Sequence, residues 1–158
     1  MCLSKLFGRT QDVPSPSDIV KDIGTQYYEM TNRVEIDLNH LNIPFTKPPK
    51  IWVSPIPDTD SMDPVFDHGH GNIYIAGSDE DNQNILLEWL SNEWFYDKRA
   101  NIIVYQLPGQ NPIVHRLDHV AWTGKGRKWW FKGDNNISKD PTPASDNDIK
   151  WLLIGTIY

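Results

Sequence analysis

Two β-favouring runs, Asn101-Ile102-Ile103-Val104-Tyr105-Gln106-Leu107 and Ile113-Val114-His115-Arg116-Leu117-Asp118-His119-Val120-Ala121-Trp122, flank the turn Pro108-Gly109-Gln110-Asn111-Pro112. Proline fixes φ and removes a backbone donor, and glycine opens the left-handed region, so the pentapeptide ends one strand and starts another. An antiparallel hairpin is expected. Its first arm is apolar at consecutive positions, which predicts a central strand covered on both faces. Twelve Pro and ten Gly spread over the chain favour further short strands over a helix bundle.

Around the hairpin the chain divides into similar pieces. Ile51-Trp52-Val53, Asn72-Ile73-Tyr74-Ile75-Ala76, Arg127-Lys128-Trp129-Trp130-Phe131-Lys132 and Lys150 to Tyr158 read as strands, the last apolar enough to close the sheet. Two stretches read as helices. Ser17 can cap one in which Ile19, Val20 and Ile23 share a face, and Ser78-Asp79-Glu80-Asp81 opens another that buries Ile85, Leu86, Trp89 and Leu90. At 158 residues the chain is long enough for one core. A flexible segment over residues 1–16 and a single domain over 17–158 are expected.

Several function classes are disfavoured. A net charge of -6 and a pI near 5.2 argue against a phosphate-backbone binder, so no nucleic-acid partner is expected. The basic residues Lys125, Arg127, Lys128 and Lys132 are interleaved with Trp129, Trp130 and Phe131, and read as the ends of a strand with a buried aromatic middle. Cys2 is the only cysteine, so no intramolecular disulfide can form. The apolar runs, such as Trp151-Leu152-Leu153-Ile154, are too short to span a bilayer, and a soluble, cytoplasmic protein without a membrane anchor is expected. Asp67-His68-Gly69-His70-Gly71 pairs two histidines on flexible glycines with no cysteine and no second ligand motif; it reads as a turn, and neither metal nor cofactor is expected.

Chemistry concentrates elsewhere. Asp58-Thr59-Asp60-Ser61-Met62-Asp63-Pro64-Val65-Phe66 carries Ser61 on a rigid polar loop, with Val65 and Phe66 available as apolar anchors. A serine hydroxyl is a poor nucleophile unless a base lies within hydrogen-bond reach and donors hold the oxyanion. His115 shares a strand face with Ile113 and Leu117 by period-2 alternation, and His119, two steps on along the same face, is a weaker alternative base. Lys132-Gly133-Asp134-Asn135-Asn136-Ile137-Ser138-Lys139-Asp140 brings two carboxylates on one loop, either of which is able to orient an imidazole.

In this order, Ser61-Met62-Asp63-Pro64-Val65-Phe66, the hairpin leading to Pro112-Ile113-Val114-His115-Arg116, and Gly133-Asp134-Asn135-Asn136 with Asp140 resemble the signal peptidase I family, in its archaeal and endoplasmic-reticulum branch with His as base. The resemblance covers about residues 50–158, the expected catalytic core. It implies Ser61 as nucleophile, His115 as base, Asp140 as the acid and Asp134 as a supporting carboxylate, the two acids being able to exchange roles. Thr59 and the Ser61 N–H would hold the oxyanion. It implies a mostly β fold of curved antiparallel sheets, with an N-terminal helix and one inserted helix. The expected function is a soluble serine endopeptidase acting on a protein or peptide substrate, in maturation or self-processing. Asp60 stands where the family carries a small residue. The alternative is therefore a non-catalytic peptide-binding or structural module on that fold, in a viral or mobile-element setting.

Overall fold

The structure is a computed structural model that describes residues 38, 41–55, 61–63, 71–92 and 101–157. The expected helix from Ser17, Thr59, Asp60, the Val65-Phe66 anchor and the His68-His70 turn lie outside the described residues. Six strands, β1 (Lys50–Pro55), β2 (Gly71–Ala76), β3 (Ile102–Tyr105), β4 (Ile113–Thr123), β5 (Gly126–Lys132) and β6 (Ile149–Ile157), form one sheet in the order β1-β2-β6-β3-β4-β5. Every neighbouring pair is antiparallel. The fold is thus the mostly β, antiparallel architecture expected, with one α-helix, α1 (Glu80–Ser91), among the described residues.

The hairpin forms as its turn chemistry requires, with Ile103 opposite His115 and Tyr105 opposite Ile113. β3 is covered on both faces. Ile103 and Tyr105 join a core that includes Leu117, Trp129, Phe131 and Leu152, whereas Ile102 and Val104 pack with Met62 and Tyr74. β6 does not close the sheet from its edge; it inserts between β2 and β3, where Leu152 lies opposite both Ile75 and Ile103 and is buried. Its run of apolar residues fits that doubly flanked place.

Helix α1 begins at Asp79, whose side chain accepts from the Asn82 N–H at 3.0 Å, and it buries Leu86, Leu87, Trp89 and Leu90 against the sheet. Ile85, expected in that face, is only partly buried, and Leu87 takes its share. The stripe is set by a polar residue. Asn82 is fully buried, and its Oδ1 accepts from the Thr46 N–H at 2.8 Å and from the Thr46 hydroxyl at 3.2 Å, tying the first helical turn to the segment before β1.

The sheet carries register shifts at Ile73/Tyr74, Val104/Tyr105 and Leu117/His119. An extra residue in one strand bends it and reverses the side-chain alternation beyond. The last shift corrects the expectation for His119. Leu117 lies opposite Phe131 but His119 lies opposite Trp130, so His119 leaves the His115 face, stacks on Trp130 at 5.8 Å between ring centroids and bonds Asp118 at 2.7 Å.

Candidate active site

β1 leads toward a turn at Ser61–Asp63. The side chain after the serine anchors it: Met62 is buried among Tyr74, Ile102 and Val104. From the other side, the Asn135 N–H donates to the Ser61 carbonyl oxygen at 3.0 Å. That bond needs close approach of two backbones, and Gly133 permits it, because a Cβ there would stand 2.6 Å from the Ser61 carbonyl oxygen.

The chain after β5 then folds back along that strand. The Asp140 N–H donates to the Phe131 carbonyl at 2.9 Å, and Trp129 and Ala144 exchange backbone bonds of 3.0 and 2.9 Å. Asp140 is thereby fixed beside β5, from where its carboxylate reaches β4. His115, on β4, is 7% exposed and stands between the serine and the carboxylate. Its Nε2 lies 3.2 Å from Ser61 Oγ, and its Nδ1 lies 2.8 Å from Asp140 Oδ2. A carboxylate oxygen can only accept, so Nδ1 carries the proton, and in the neutral imidazole the Nε2 lone pair then faces the serine hydroxyl.

The two acids of the loop are kept apart. Asp140 meets the imidazole, whereas Asp134 receives Arg116 in a two-pronged pair, Nε and Nη2 each donating at 2.7 Å. Hydrogen bonding to Asp134, with its charge, holds the Arg116 proton more firmly than usual. Consecutive strand residues therefore clamp the same loop, His115 by Asp140 and Arg116 by Asp134.

Reasoning from the sequence missed Met62, Arg116, Gly133, Asn135 and one more residue. The Tyr105 hydroxyl donates to Asp140 Oδ2 at 2.7 Å, the oxygen that also faces His115. Burial, followed by the nearby Asp140 charge, pushes the phenol well above its ordinary range, so it stays a donor. A signal was present: with His115 opposite Ile103, Tyr105 is its diagonal neighbour across the hairpin, within reach of a long side chain.

A serine, an imidazole and a carboxylate hydrogen-bonded in series on an antiparallel sheet make up the kind of site that can deprotonate a hydroxyl for attack on a carbonyl. Sequence similarity gives that site a context. The chain is 35% identical over 86 residues to the signal peptidase complex catalytic subunit SEC11 of Metarhizium acridum, covering 52% of this chain and 46% of that one. It is 29% identical over 107 residues to the sec11 subunit of Neurospora crassa, covering 63% and 59%. The chain therefore spans about half the length of these relatives. A further match, 32% over 73 residues, is to subunit pta1 of the mRNA cleavage and polyadenylation specificity factor complex of Schizosaccharomyces pombe, of which it covers 10%. No family profile and no solved structure matches the chain. The SEC11 subunits are distant homologues of the chain, and the shared stretch supports a signal-peptidase-I-like kinship.

Proposed function

We propose that the protein is a signal-peptidase-like serine endopeptidase in which Ser61 is the nucleophile, His115 the general base and Asp140 the orienting acid. The observation that carries this reading is the unbroken series Ser61 Oγ, His115 Nε2, His115 Nδ1 and Asp140 Oδ2, with spacings of 3.2 and 2.8 Å. His115 Nε2 takes the Ser61 proton as Oγ bonds to the peptide carbonyl carbon, and the carbonyl oxygen becomes an oxyanion. The Ser61 N–H and the Thr59 hydroxyl stabilise it. The imidazolium, held by Asp140, returns the proton to the peptide nitrogen as the C–N bond breaks. Water then attacks the acyl-enzyme, His115 accepting its proton, and the ester C–O bond breaks as His115 returns that proton to Ser61 Oγ. Asp134 serves by fastening the loop to Arg116 and takes no part in proton transfer.

The test is cleavage of a peptide library followed by mass spectrometry, with labelling by a fluorophosphonate probe. Wild-type protein is expected to cleave and to be labelled, Ser61→Ala to do neither, and His115→Ala to lose both almost entirely. Equal labelling of wild type and Ser61→Ala overturns the assignment. A folded wild-type protein that neither cleaves nor reacts favours the binding-module alternative.

A further inference from the structure

Asp140 Oδ2 receives two donors, His115 Nδ1 at 2.8 Å and the Tyr105 hydroxyl at 2.7 Å. The phenol is held there by more than its own bond. Its ring stacks on Phe131 with centroids 4.3 Å apart and planes 10° from parallel, and Tyr105 is 1% exposed. Phe131 is also the residue whose carbonyl accepts the Asp140 N–H. Ring and backbone thus form a frame around one carboxylate: Phe131 positions Asp140 by its main chain and Tyr105 by its side chain, and Tyr105 in turn fixes the oxygen offered to His115.

A buried phenol needs some acceptor, and a backbone carbonyl would satisfy it equally well. Here it takes the one carboxylate oxygen that orients the imidazole. A carboxylate held by a single hydrogen bond can turn about its Cβ–Cγ bond, whereas one held at Oδ2 by two converging donors presents a fixed acceptor direction.

We infer that Tyr105 is a positioning residue of the active site, acting on His115 through Asp140 by holding the carboxylate in the one orientation that aligns the imidazole with Ser61. This rests on the assignment of Ser61, His115 and Asp140 given above. The phenol also draws charge from Oδ2. Its removal leaves a stronger acceptor for the His115 Nδ1 proton.

Tyr105→Phe isolates the effect, because the stacked ring remains and only the hydroxyl is lost. The expected result is a kcat about 10-fold lower with KM unchanged, the size set by one hydrogen bond to a charged group. In an Asp140→Asn background the same substitution is expected to have no further effect on kcat, since its route of action is already removed. Additive losses in that cycle, or a wild-type kcat for Tyr105→Phe, overturn the inference. A readout independent of turnover separates it from the catalytic assignment. The His115 Nδ1 proton resonance is expected to move downfield in Tyr105→Phe even when Ser61 is replaced by Ala, and an unmoved resonance counts against Tyr105 whether or not the protein cleaves peptides.

Discussion

Arg116 grips both oxygens of Asp134 at 2.7 Å, one residue along β4 from the histidine that contacts Asp140. Two acids on one loop therefore have separable tasks, and substitution should separate them. Asp140→Asn is expected to lower kcat by about four orders of magnitude, because the amide favours the wrong imidazole tautomer. Asp134→Asn is expected to cost stability, about 1–3 kcal/mol by urea unfolding, with a much smaller loss of turnover. Equal losses of turnover from the two substitutions would count against this division.

Gly133 is the point where the acid-bearing loop touches the serine backbone. Its added Cβ would sit 2.6 Å from both the Ser61 carbonyl oxygen and Asn136 Nδ2, and backbone cannot move aside as a side-chain tip can. Gly133→Ala is expected to displace Ser61 and lower peptide cleavage at least about 10-fold, since sub-ångström misplacement of reacting groups is costly. Gly124→Ala, which meets nothing within 4 Å, is the matched control and is expected to cleave at the wild-type rate.

The start of α1 should make stability depend on acid. Lys47, hydrogen-bonded to Asp79 at 2.6 Å, together with bonds from Asn82, lowers the Asp79 carboxyl from 3.8 to about 2. A carboxyl depressed on folding contributes stability that is complete above its unfolded value and is lost as pH falls through its folded value. Thermal melts of wild type and Asp79→Ala are therefore expected to differ at pH 7 and to converge as the pH is lowered from about 4 to about 2. A difference that persists undiminished at pH 2 would refute the cap's dependence on charge.

Asn82 offers a sharper stability test. Its Oδ1 accepts from the Thr46 N–H, and its Nδ2 donates to Asp79 at 2.9 Å, all within a fully buried side chain. Asn82→Ala strands the Thr46 amide in the interior and is expected to destabilise by about 2–3 kcal/mol in chemical denaturation. A loss below about 0.5 kcal/mol, the scale of an ordinary surface change, would show that the segment before β1 re-pairs on its own.

Much of this arrangement was legible in the chain. The Pro108–Pro112 turn set the hairpin and hence the face on which His115 points, and the acidic run after Ser78 marked the helix start. What the pattern missed is long-range or bulge-dependent. No period-2 count foresees the extra residue at Asp118 that turns His119 away from His115. The place of β6 in the middle of the sheet depends on a strand order that local alternation does not encode. Nothing in the local pattern marks Asn82 as buried, because its partners Thr46 and Lys47 lie about 35 residues upstream. The choice between Asp134 and Asp140 was open in sequence, since both sit on one loop; Arg116, overlooked as a strand residue, separates them.

The position of β6 also carries a temporal consequence. Among the described residues, the β1-β2 and β3-β4-β5 ladders are joined into one sheet by β6, which follows all of them in the chain. A growing polypeptide lacks the strand that pairs with both the serine-side and the histidine-side ladder until residues 149–157 have been made. Pairings of such sequence separation form late. Closure of the sheet beneath Ser61 and His115 thus waits for β6, so a nascent chain that has not yet reached residue 157 keeps its nucleophile on an unsecured support.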